Sequence, residues 1–541
     1  MNFILNKKTI IIIRLVIVGV LLLSLPFLLK GSGILILFGL LPVLMLKNFI
    51  ENNKIKHGWL LIYIVFLLWT IATTYWIGYA NLRGAIASMV LYSLSLTLII
   101  LLYGWFKRKF GSALGYAFLV LGWLAWEYLM AEGELNWPWL ALGNGFASLH
   151  KVVQWYEFTG VAGGSLWALL VSVISYDIAV TRSSCAARQM KVKNIILISV
   201  LLLPIFVSHA IYISYKENVN PAKFLILQPN IDPYVDKFGG MTQREQDEIF
   251  LELLYEGYDD EIDFIIGPET FTSGIIENRP YESDSFSRFA AAAKNIGDAS
   301  MIFGASTHYI YPKESSEFNI KPKPSSRRLG EGWYDSHNSS VLIDSSGNYS
   351  FYYKSKLVPL VEFMPFQRYL GEFRLFVIEL GGYFGSYGVQ DERTIFKSSD
   401  SRISIGTAIC YESVYGNFYR EFVLKGANVM SVITNDGWWL DSPGYRQHLW
   451  YDRLRAIETR RSIARCGNTG VSALIDQRGD ITASTNWWRR ESLKGELNLN
   501  DTITVFVKYG DYIGRIAYYS MMIFIALALF ALVKISVRAK I

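Results

Sequence analysis

Ile405-Gly-Thr-Ala-Ile-Cys410-Tyr411-Glu412 is the stretch on which the fold and the chemistry of this chain depend. An apolar run ends at one cysteine, and a tyrosine and a carboxylate follow at once. Such a run predicts a buried strand that stops at a turn and presents a thiol at the edge of a sheet. Because the thiolate is the nucleophilic form, a reactive cysteine here requires a base and a cation nearby.

Two other stretches supply the missing groups. Phe264-Ile-Ile-Gly-Pro-Glu269 ends an apolar run in a carboxylate, and Tyr353-Lys354 ends an aromatic run in an ammonium group. Glu, Lys and Cys in this order, each at a strand end, predict one site for acyl transfer through a thioester. Glu269 would move the proton, Lys354 would stabilise the thiolate and the oxyanion, and Cys410 would attack. Burial is expected to raise the pKa of Glu269 toward neutrality.

Composition indicates a mixed architecture. The chain of 541 residues is 52% hydrophobic, with 16 Trp, 33 Tyr and 32 Phe, which is too apolar for one soluble domain. The net charge of +6 lies mostly in short loops beside apolar runs. This distribution favours a role in membrane orientation over nucleic-acid binding.

The three cysteines, Cys185, Cys410 and Cys466, cannot form a disulfide framework, and Cys466 is interpreted as a packed thiol. The six histidines lack metal-ligand spacing, so neither a metal nor a cofactor is expected.

Eight apolar runs are candidate transmembrane helices, although the second is short. Loops rich in Lys and Arg alternate with loops poor in them, which places both termini in the cytoplasm. The predicted domains are a membrane domain (1–214), an outer catalytic domain (215–514), and a last helix with a cytoplasmic tail (515–541). The candidate spans are Ile10–Leu29, Gly33–Leu46, Gly58–Tyr79, Ala85–Trp105, Leu114–Met130, Gly164–Ala179, Ile195–Ile213 and Ala517–Val533.

Two loops carry unusual aromatic content. The outer loop 132–161, with Trp137 and Trp139, is either an aromatic belt at the bilayer interface or a platform at the mouth of a lipid-accessible site. The stretch 371–388 is either an ordinary packed loop or a gate for lipid entry.

Between residues 222 and 500, short apolar runs alternate with helix-forming stretches, which predicts an α/β domain. A hairpin is expected at Val341–Ile343 and Tyr349–Tyr353, and a helix at Tyr445–Ala464. Ligands of such folds bind outside the carboxyl ends of the strands. Glu269, Cys410 and Asn435-Asp436-Gly437-Trp438 all follow strands closely, so they are expected at one site.

Six motifs together resemble the nitrilase superfamily, and in particular its membrane-bound apolipoprotein N-acyltransferase branch. The resemblance covers nearly the whole chain. The motifs are Leu227-Gln-Pro-Asn-Ile231, Pro268-Glu-Thr270, Lys354-x-x-Leu-Val-Pro-x-x-Glu362, Ile409-Cys-Tyr-Glu412, Asn435-Asp-Gly-Trp438 and Arg465-x-x-Asn-Thr-Gly470. This resemblance implies an αββα sandwich with a Glu-Lys-Cys triad, beside eight transmembrane helices.

The resemblance also implies residue roles beyond the triad. Glu362 would support the triad, and Tyr411 and Glu412 would shape the pocket. Substrate-binding roles are implied for Phe238, Trp438, Trp137 and Trp139. Phe238 stands near the position where the family commonly has a tryptophan, which is a departure from the family pattern.

The implied reaction is ping-pong acyl transfer. A phospholipid, expected to be phosphatidylethanolamine, acylates Cys410, and the thioester then acylates the α-amino group of a diacylglyceryl-cysteine at a lipoprotein N-terminus. A monomer in a bacterial inner membrane, with its catalytic domain in the periplasm and no nucleic-acid partner, is implied.

Two alternatives stay open. A membrane-tethered amidase or nitrilase acting on small amides would use the same triad. A catalytically inactive lipopeptide-binding scaffold or a transporter would explain an intramembrane charge such as Glu127. A transporter usually shows internal repeats, and this sequence shows none.

Overall fold

The computed structural model describes residues 6–183, 185–315, 317, 320–359, 361–363 and 387–538. The chain divides into two compact units. The helical unit contains residues 1–78, 85–214 and 509–541, and the α/β unit contains residues 79–84 and 215–508.

The helical unit consists of apolar helices. Among the described residues, seven helical segments are long and apolar enough to cross a bilayer, and the shorter apolar helix Trp59–Thr74 is an eighth candidate. Each contains most of one predicted span. The helices are α1 (Lys7–Leu28), α2 (Leu41–Asn52), α3 (Trp59–Thr74), α4 (Ile77–Phe110), α5 (Ser112–Glu132), α6 (Tyr156–Thr181), α7 (Ala187–Ser214) and the C-terminal helix Tyr512–Arg538.

The second predicted span is a broken helix. A 3₁₀ segment, Gly33–Phe38, leads into α2, and the two together form one candidate span. Leu37, Val43 and Leu44 along it are fully buried. The apolar run ends at Leu46, whereas α2 continues through Lys47 to Asn52, so the span predicted from the sequence is shorter than the helix.

The loop after α5 folds into the helical unit. Most of its 3₁₀ segment, Leu142–Val152, is buried, and Trp139 is only 1% exposed. Glu127 on α5 accepts hydrogen bonds from Trp123 Nε1 and from the Leu142 backbone N–H, both at 2.9 Å. This intramembrane carboxylate therefore anchors the loop. Its charge has a structural explanation and no longer favours a transporter.

The α/β unit contains two sheets. In the first, the order is β14-β1-β2-β4-β6-β5, with β3 beside β4 and β7 beside β6; in the second it is β13-β12-β11-β10-β9-β8. The first sheet is built from β1 (Pro221–Gln228), β2 (Phe264–Ile266), β3 (Thr272–Ile276), β4 (Ser300–Ile310), β5 (Arg327–Leu329), β6 (Gly332–Ile343), β7 (Tyr349–Tyr353) and β14 (Glu491–Asn498). The second is built from β8 (Ile395–Lys397), β9 (Ser404–Ile409), β10 (Val429–Thr434), β11 (Ile463–Gly467), β12 (Ala473–Ile475) and β13 (Ile481–Ser484).

Helices cover the outer faces of the two sheets. The first sheet packs against α8 (Gln243–Gly257) and α9 (Asp284–Ala293), and the second against α10 (Gly416–Leu424), which in turn contacts α11 (Pro443–Thr459). Every residue of β9 and β10 is buried, as expected for strands covered on both faces. The sheets contact each other through β1 and β11. This αββα arrangement confirms the predicted fold class.

Of two elements predicted near the site, the hairpin is observed and the helix ends earlier than predicted. The predicted hairpin is present, since Ile343 pairs with Tyr349. The predicted helix Tyr445–Ala464 is wrong at its end, because α11 stops at Thr459 and Arg460 adopts a left-handed conformation with φ of +49°. Strand β11 then begins at Ile463. Nothing in the local composition marks this stop.

Candidate active site

Cys410 lies at a sharp turn directly after β9. Its φ is +51°, in the left-handed region that a residue with a Cβ rarely adopts, and a short 3₁₀ turn, Cys410–Val414, follows. The Glu412 carboxylate accepts a hydrogen bond from the Ile409 backbone N–H at 2.8 Å, across this turn. The strained residue is therefore held in place from both sides, as is typical of functional sites.

Lys354 lies between two carboxylates. Its Nζ is 3.0 Å from Glu269 Oε1 and 2.9 Å from Glu362 Oε1, and its side chain is only 1% exposed. Asn338 on β6 donates from Nδ2 to the same two oxygens, at 2.9 Å and 3.3 Å. The Asn338 carbonyl also accepts the Lys354 backbone N–H at 2.8 Å. The structure thus brings Glu269, Lys354 and Glu362 together, and Asn338 is a member that sequence reasoning missed.

Electrostatic interactions connect this cluster to the thiol. Burial raises the pKa of Cys410 well above its usual value; the Glu269 charge raises it further, while Lys354 lowers it. Burial lowers the pKa of Lys354, but Glu269, Glu362 and Cys410 outweigh this effect, so its pKa lies well above the ordinary value. The thiol is consequently protonated at rest and the lysine is charged, which is the state from which a base can activate the sulfur.

The predicted pKa direction of Glu269 is wrong. Burial does raise the pKa of Glu269, but the Lys354 charge and hydrogen bonds from Asn338 and Lys354 more than offset it, so the pKa is lowered. The Asn435 backbone N–H also lies 3.2 Å from Glu269 Oε2. Glu269 is therefore ionised at neutral pH and available to accept a proton.

Glu412 connects two strand ends rather than lining an open pocket. It is fully buried, and its carboxylate accepts hydrogen bonds from the Tyr352 hydroxyl at 2.8 Å and from the Ser355 backbone N–H at 2.6 Å, besides Ile409. It therefore fixes the segment that carries Lys354 against the segment that carries Cys410. Tyr411 is also buried, and its ring contacts the Tyr415 ring edge-on at 5.1 Å.

A second lysine lies beside Glu269. Lys237 donates from Nζ to Thr270 Oγ1 at 2.7 Å. Desolvation lowers the pKa of Lys237 to about 8, although the Glu269 charge opposes the change. The side chain of Phe238, which follows it, lies outside the described residues, as does most of the stretch 371–388.

A second buried ionic cluster lies near the Cys410 backbone. Arg465 contacts Asp436 at 2.5 Å and also forms an ion pair with Asp452. His448 lies 2.9 Å from Asp436 through Nδ1 and 3.1 Å from the Cys410 carbonyl oxygen through Nε2. Burial opposes ionisation, but Arg465 and His448 lower the pKa of Asp436 to about 2. The Asn435-Asp436 and Arg465 motifs point to this cluster in the sequence, although its partners cannot be paired from spacing.

The aromatic residues predicted to bind substrate lie in different places. Trp438 is half-buried in the α/β unit, where its ring meets the Tyr234 ring at 5.3 Å. Trp137 and Trp139 belong to the helical unit and stack on each other at 5.8 Å, and Trp139 also packs against Trp76. The burial of Trp139 leaves little of its surface for a ligand.

Two family models match this chain. Residues 19–174 match the apolipoprotein N-acyltransferase N-terminal domain, and residues 250–505 match the carbon-nitrogen hydrolase domain. The second match contains Glu269, Lys354, Glu362 and Cys410. The two matches fall on the helical unit and on the α/β unit, respectively.

Curated relatives extend the similarity across most of the chain. An apolipoprotein N-acyltransferase of Chlorobaculum tepidum is 28% identical over 83% of this chain and 84% of its own length. One from Geobacter metallireducens is 25% identical over 72% of this chain and 69% of its own. Among solved structures, Saccharomyces cerevisiae Nit3, of the nitrilase superfamily, overlaps 52% of this chain and 92% of its own with 15% identity and a TM-score of 0.34.

Proposed function

This chain belongs to the apolipoprotein N-acyltransferase family of carbon-nitrogen hydrolases, and we propose that it transfers a fatty acyl chain from a phospholipid to the N-terminal amine of a lipoprotein. The acyl chain is carried as a thioester on Cys410. The acceptor is the α-amino group of a diacylglyceryl-cysteine, and the donor is phosphatidylethanolamine.

In the first half-reaction, Glu269 takes the proton from the Cys410 thiol, and the sulfur attacks the ester carbonyl carbon of the donor. Lys354 stabilises the thiolate and then the oxyanion of the tetrahedral intermediate. The carbon–oxygen ester bond breaks, Glu269 returns its proton to the departing oxygen, and a lysophospholipid leaves.

In the second half-reaction, the acceptor amine attacks the thioester carbonyl carbon. Glu269 takes a proton from the attacking nitrogen, the carbon–sulfur bond breaks, and the proton passes to the Cys410 sulfur. The enzyme returns to its starting state and the product is an amide. Glu362 holds Lys354 in position throughout, since its Oε1 accepts hydrogen bonds from Lys354 Nζ and from Asn338 Nδ2.

One observation carries the proposal: a buried lysine lies within 3.0 Å of two carboxylates and interacts with a thiol at a strained strand end. A lone carboxylate or thiol has many structural explanations, whereas this set matches the needs of thioester chemistry. Helices long enough to span a bilayer would give the enzyme access to two lipid substrates. An amidase that acts on small soluble amides has no need of such helices.

The test is intact-protein mass spectrometry of the full chain after incubation with phosphatidylethanolamine. We expect one fatty acyl adduct that maps to Cys410 and is absent from Cys410→Ala. Addition of a diacylglyceryl lipopeptide should discharge the adduct and acylate the peptide. Protein that consumes small amides without ever carrying the adduct would identify an amidase instead. Full acyl transfer by Cys410→Ala would refute a covalent intermediate on this residue.

We further propose a monomer in the bacterial inner membrane, with both termini in the cytoplasm and residues 215–514 in the periplasm. The alternation of basic loops supports this orientation. Cys185 lies between α6 and α7 and offers a direct test. A maleimide that cannot cross membranes should label Cys185 only after spheroplasts are lysed; labelling of intact spheroplasts would reverse the topology.

A further inference from the structure

The turn between β13 and β14 presents two tryptophans and two arginines. Its sequence is Asn486-Trp487-Trp488-Arg489-Arg490. Both tryptophans are half-buried and both arginines are exposed. Within the part of the chain that the structure describes, neither guanidinium forms an ion pair, because the neighbouring Glu491 carboxylate instead accepts the Asn486 backbone N–H. Two cations thus face solvent beside two large apolar rings.

This turn is fixed to the end of the α/β unit that holds the active site. Gln228, the last residue of β1, donates from Nε2 to the carbonyl oxygens of Asn486 and Arg489, at 2.8 Å and 2.9 Å. The Trp488 backbone N–H donates to the Thr469 carbonyl, just after β11. Because β1 is parallel to β2, and β11 is parallel to β10 and β9, the turn lies at the same sheet edges as Glu269 and Cys410.

More exposed apolar surface lies at this end. The Trp487 ring stacks on Tyr445 at 3.9 Å, and the Trp438 ring meets Tyr234. Tyr234 is 45% exposed, and two apolar neighbours, Val235 and Leu440, are 65% and 39% exposed. We call Tyr234, Trp438, Trp487 and Trp488 the aromatic rim; Tyr445, on which Trp487 stacks, is itself buried. Clustered exposed apolar groups mark a surface that another phase or partner covers.

A hydrogen bond connects the aromatic rim to another segment of the α/β unit, residues 79–84. The Tyr234 hydroxyl donates to the Tyr79 carbonyl oxygen at 3.2 Å, and both residues belong to the α/β unit. Tyr79 lies just before a break in α4 at Asn81, whose φ of −153° and ψ of 95° are not helical.

We propose that the aromatic rim rests on the outer surface of the bilayer and that Arg489 and Arg490 bind the phosphates of anionic phospholipids there. Tryptophan favours the interface because its ring is apolar and its N–H is polar. Exposed arginines are attracted by the negative surface potential of an anionic leaflet. The proposal concerns docking to the surface and does not depend on the acyl-transfer reaction.

The first test places a photoreactive benzoylphenylalanine at position 488 of the full chain in nanodiscs of phosphatidylethanolamine and phosphatidylglycerol. The control carries it at Tyr255, which is 54% exposed on α8. After irradiation we expect phospholipid adducts at position 488 and few at 255. Equal yields at the two positions would overturn the proposal. So would adducts at 488 that form only with an added lipopeptide, because they would assign the surface to the acceptor.

The second test separates charge from apolar contact. With the probe at 488, R489E/R490E should lower the lipid-adduct yield several-fold in discs containing phosphatidylglycerol and little in discs of phosphatidylcholine alone. The control K313E/K321E changes the net charge equally at exposed lysines elsewhere. An equal loss in the control would refute a specific role of the arginines. R489Q/R490Q, which removes the two charges without reversing them, should give an intermediate loss. An unchanged unfolding temperature shows that each variant is folded.

Discussion

The α/β unit contains two buried clusters with the same plan, a single cation between two carboxylates. Lys354 lies between Glu269 and Glu362, and Arg465 lies between Asp436 and Asp452. The first cluster interacts with the Cys410 thiol through its charges, whereas the second reaches only the Cys410 carbonyl oxygen, through His448. A buried ion cluster is therefore not a sign of catalysis in itself, and the two clusters differ in that only the first acts on the thiol of the proposed nucleophile, Cys410.

The chemistry of the two cations fits this division. A guanidinium is a rigid fork that holds two carboxylates in a fixed geometry, and it does not lose its proton. An ammonium is a compact charge whose donors can turn from a carboxylate to a developing oxyanion. We therefore expect substitutions at the lysine to change rate and substitutions at the arginine to change stability.

The largest expected effect is that of Lys354→Met on rate. Loss of the cation should slow Cys410 thioester formation by about 10²–10³-fold, because the oxyanion and the thiolate lose their stabilising charge. Rapid-quench mass spectrometry measures this rate. Lys356→Met is the matched control, since Lys356 lies two residues away with its Nζ over the Tyr415 ring, and it should react at close to the normal rate. A normal rate in Lys354→Met would remove the distinction between the clusters.

Arg465→Met should act on stability instead. It leaves Asp436 and Asp452 buried without their cation, which typically costs about 3–5 kcal/mol. Thermal unfolding in detergent should show a clearly lower midpoint, with a smaller loss in Arg465→Lys, which keeps the charge and loses the fork. An unchanged midpoint in Arg465→Met would show that the second cluster does not hold the fold.

The smallest expected effect is that of Asn338→Ala on pH dependence. The Asn338 hydrogen bond favours the ionised form of Glu269, so its loss raises the pKa of Glu269. The base must be ionised, so the rate of thioester formation should begin to fall at a higher pH than in the wild type. At neutral pH the loss should be about tenfold or less. Ser340→Ala, two residues along β6 and equally buried, is the control, and a profile unchanged between the two variants would exclude this role for Asn338.

Sequence patterns predicted the sheet elements near the site well, because buried strands read as continuous apolar runs. They failed where the signal is not local. Strand β11 follows Arg460, whose left-handed conformation has no composition marker. Strand β14 alternates exposed and half-buried residues, a period-two pattern that a search for apolar runs overlooks.

The residue types of the site could be predicted from the sequence, but the pKa shifts of those residues could not. The order Glu, Lys, Cys at strand ends pointed to Glu269, Lys354 and Cys410. The pKa of Glu269 was predicted in the wrong direction. An apolar flank in the sequence indicates burial, whereas the donors that oppose its effect, Asn338 on β6 and Lys354 just after β7, come from distant parts of the chain. Asn338 gives no sequence signal, since one asparagine in a polar strand is unremarkable until its neighbours are known.

The pairing of β1 with β14 has a consequence for biogenesis. These are the first and last strands of the α/β unit, and they pair along their whole length, from Pro221 opposite Asn498 to Gln228 opposite Glu491. Until the ribosome has delivered β14, one side of β1 is an open edge that other chains can join. Closure of the unit must then wait for nearly all of it to be synthesised, so folding depends on long-range contacts and is slow. Chaperones that shield β1 during this interval would raise the yield of the finished protein.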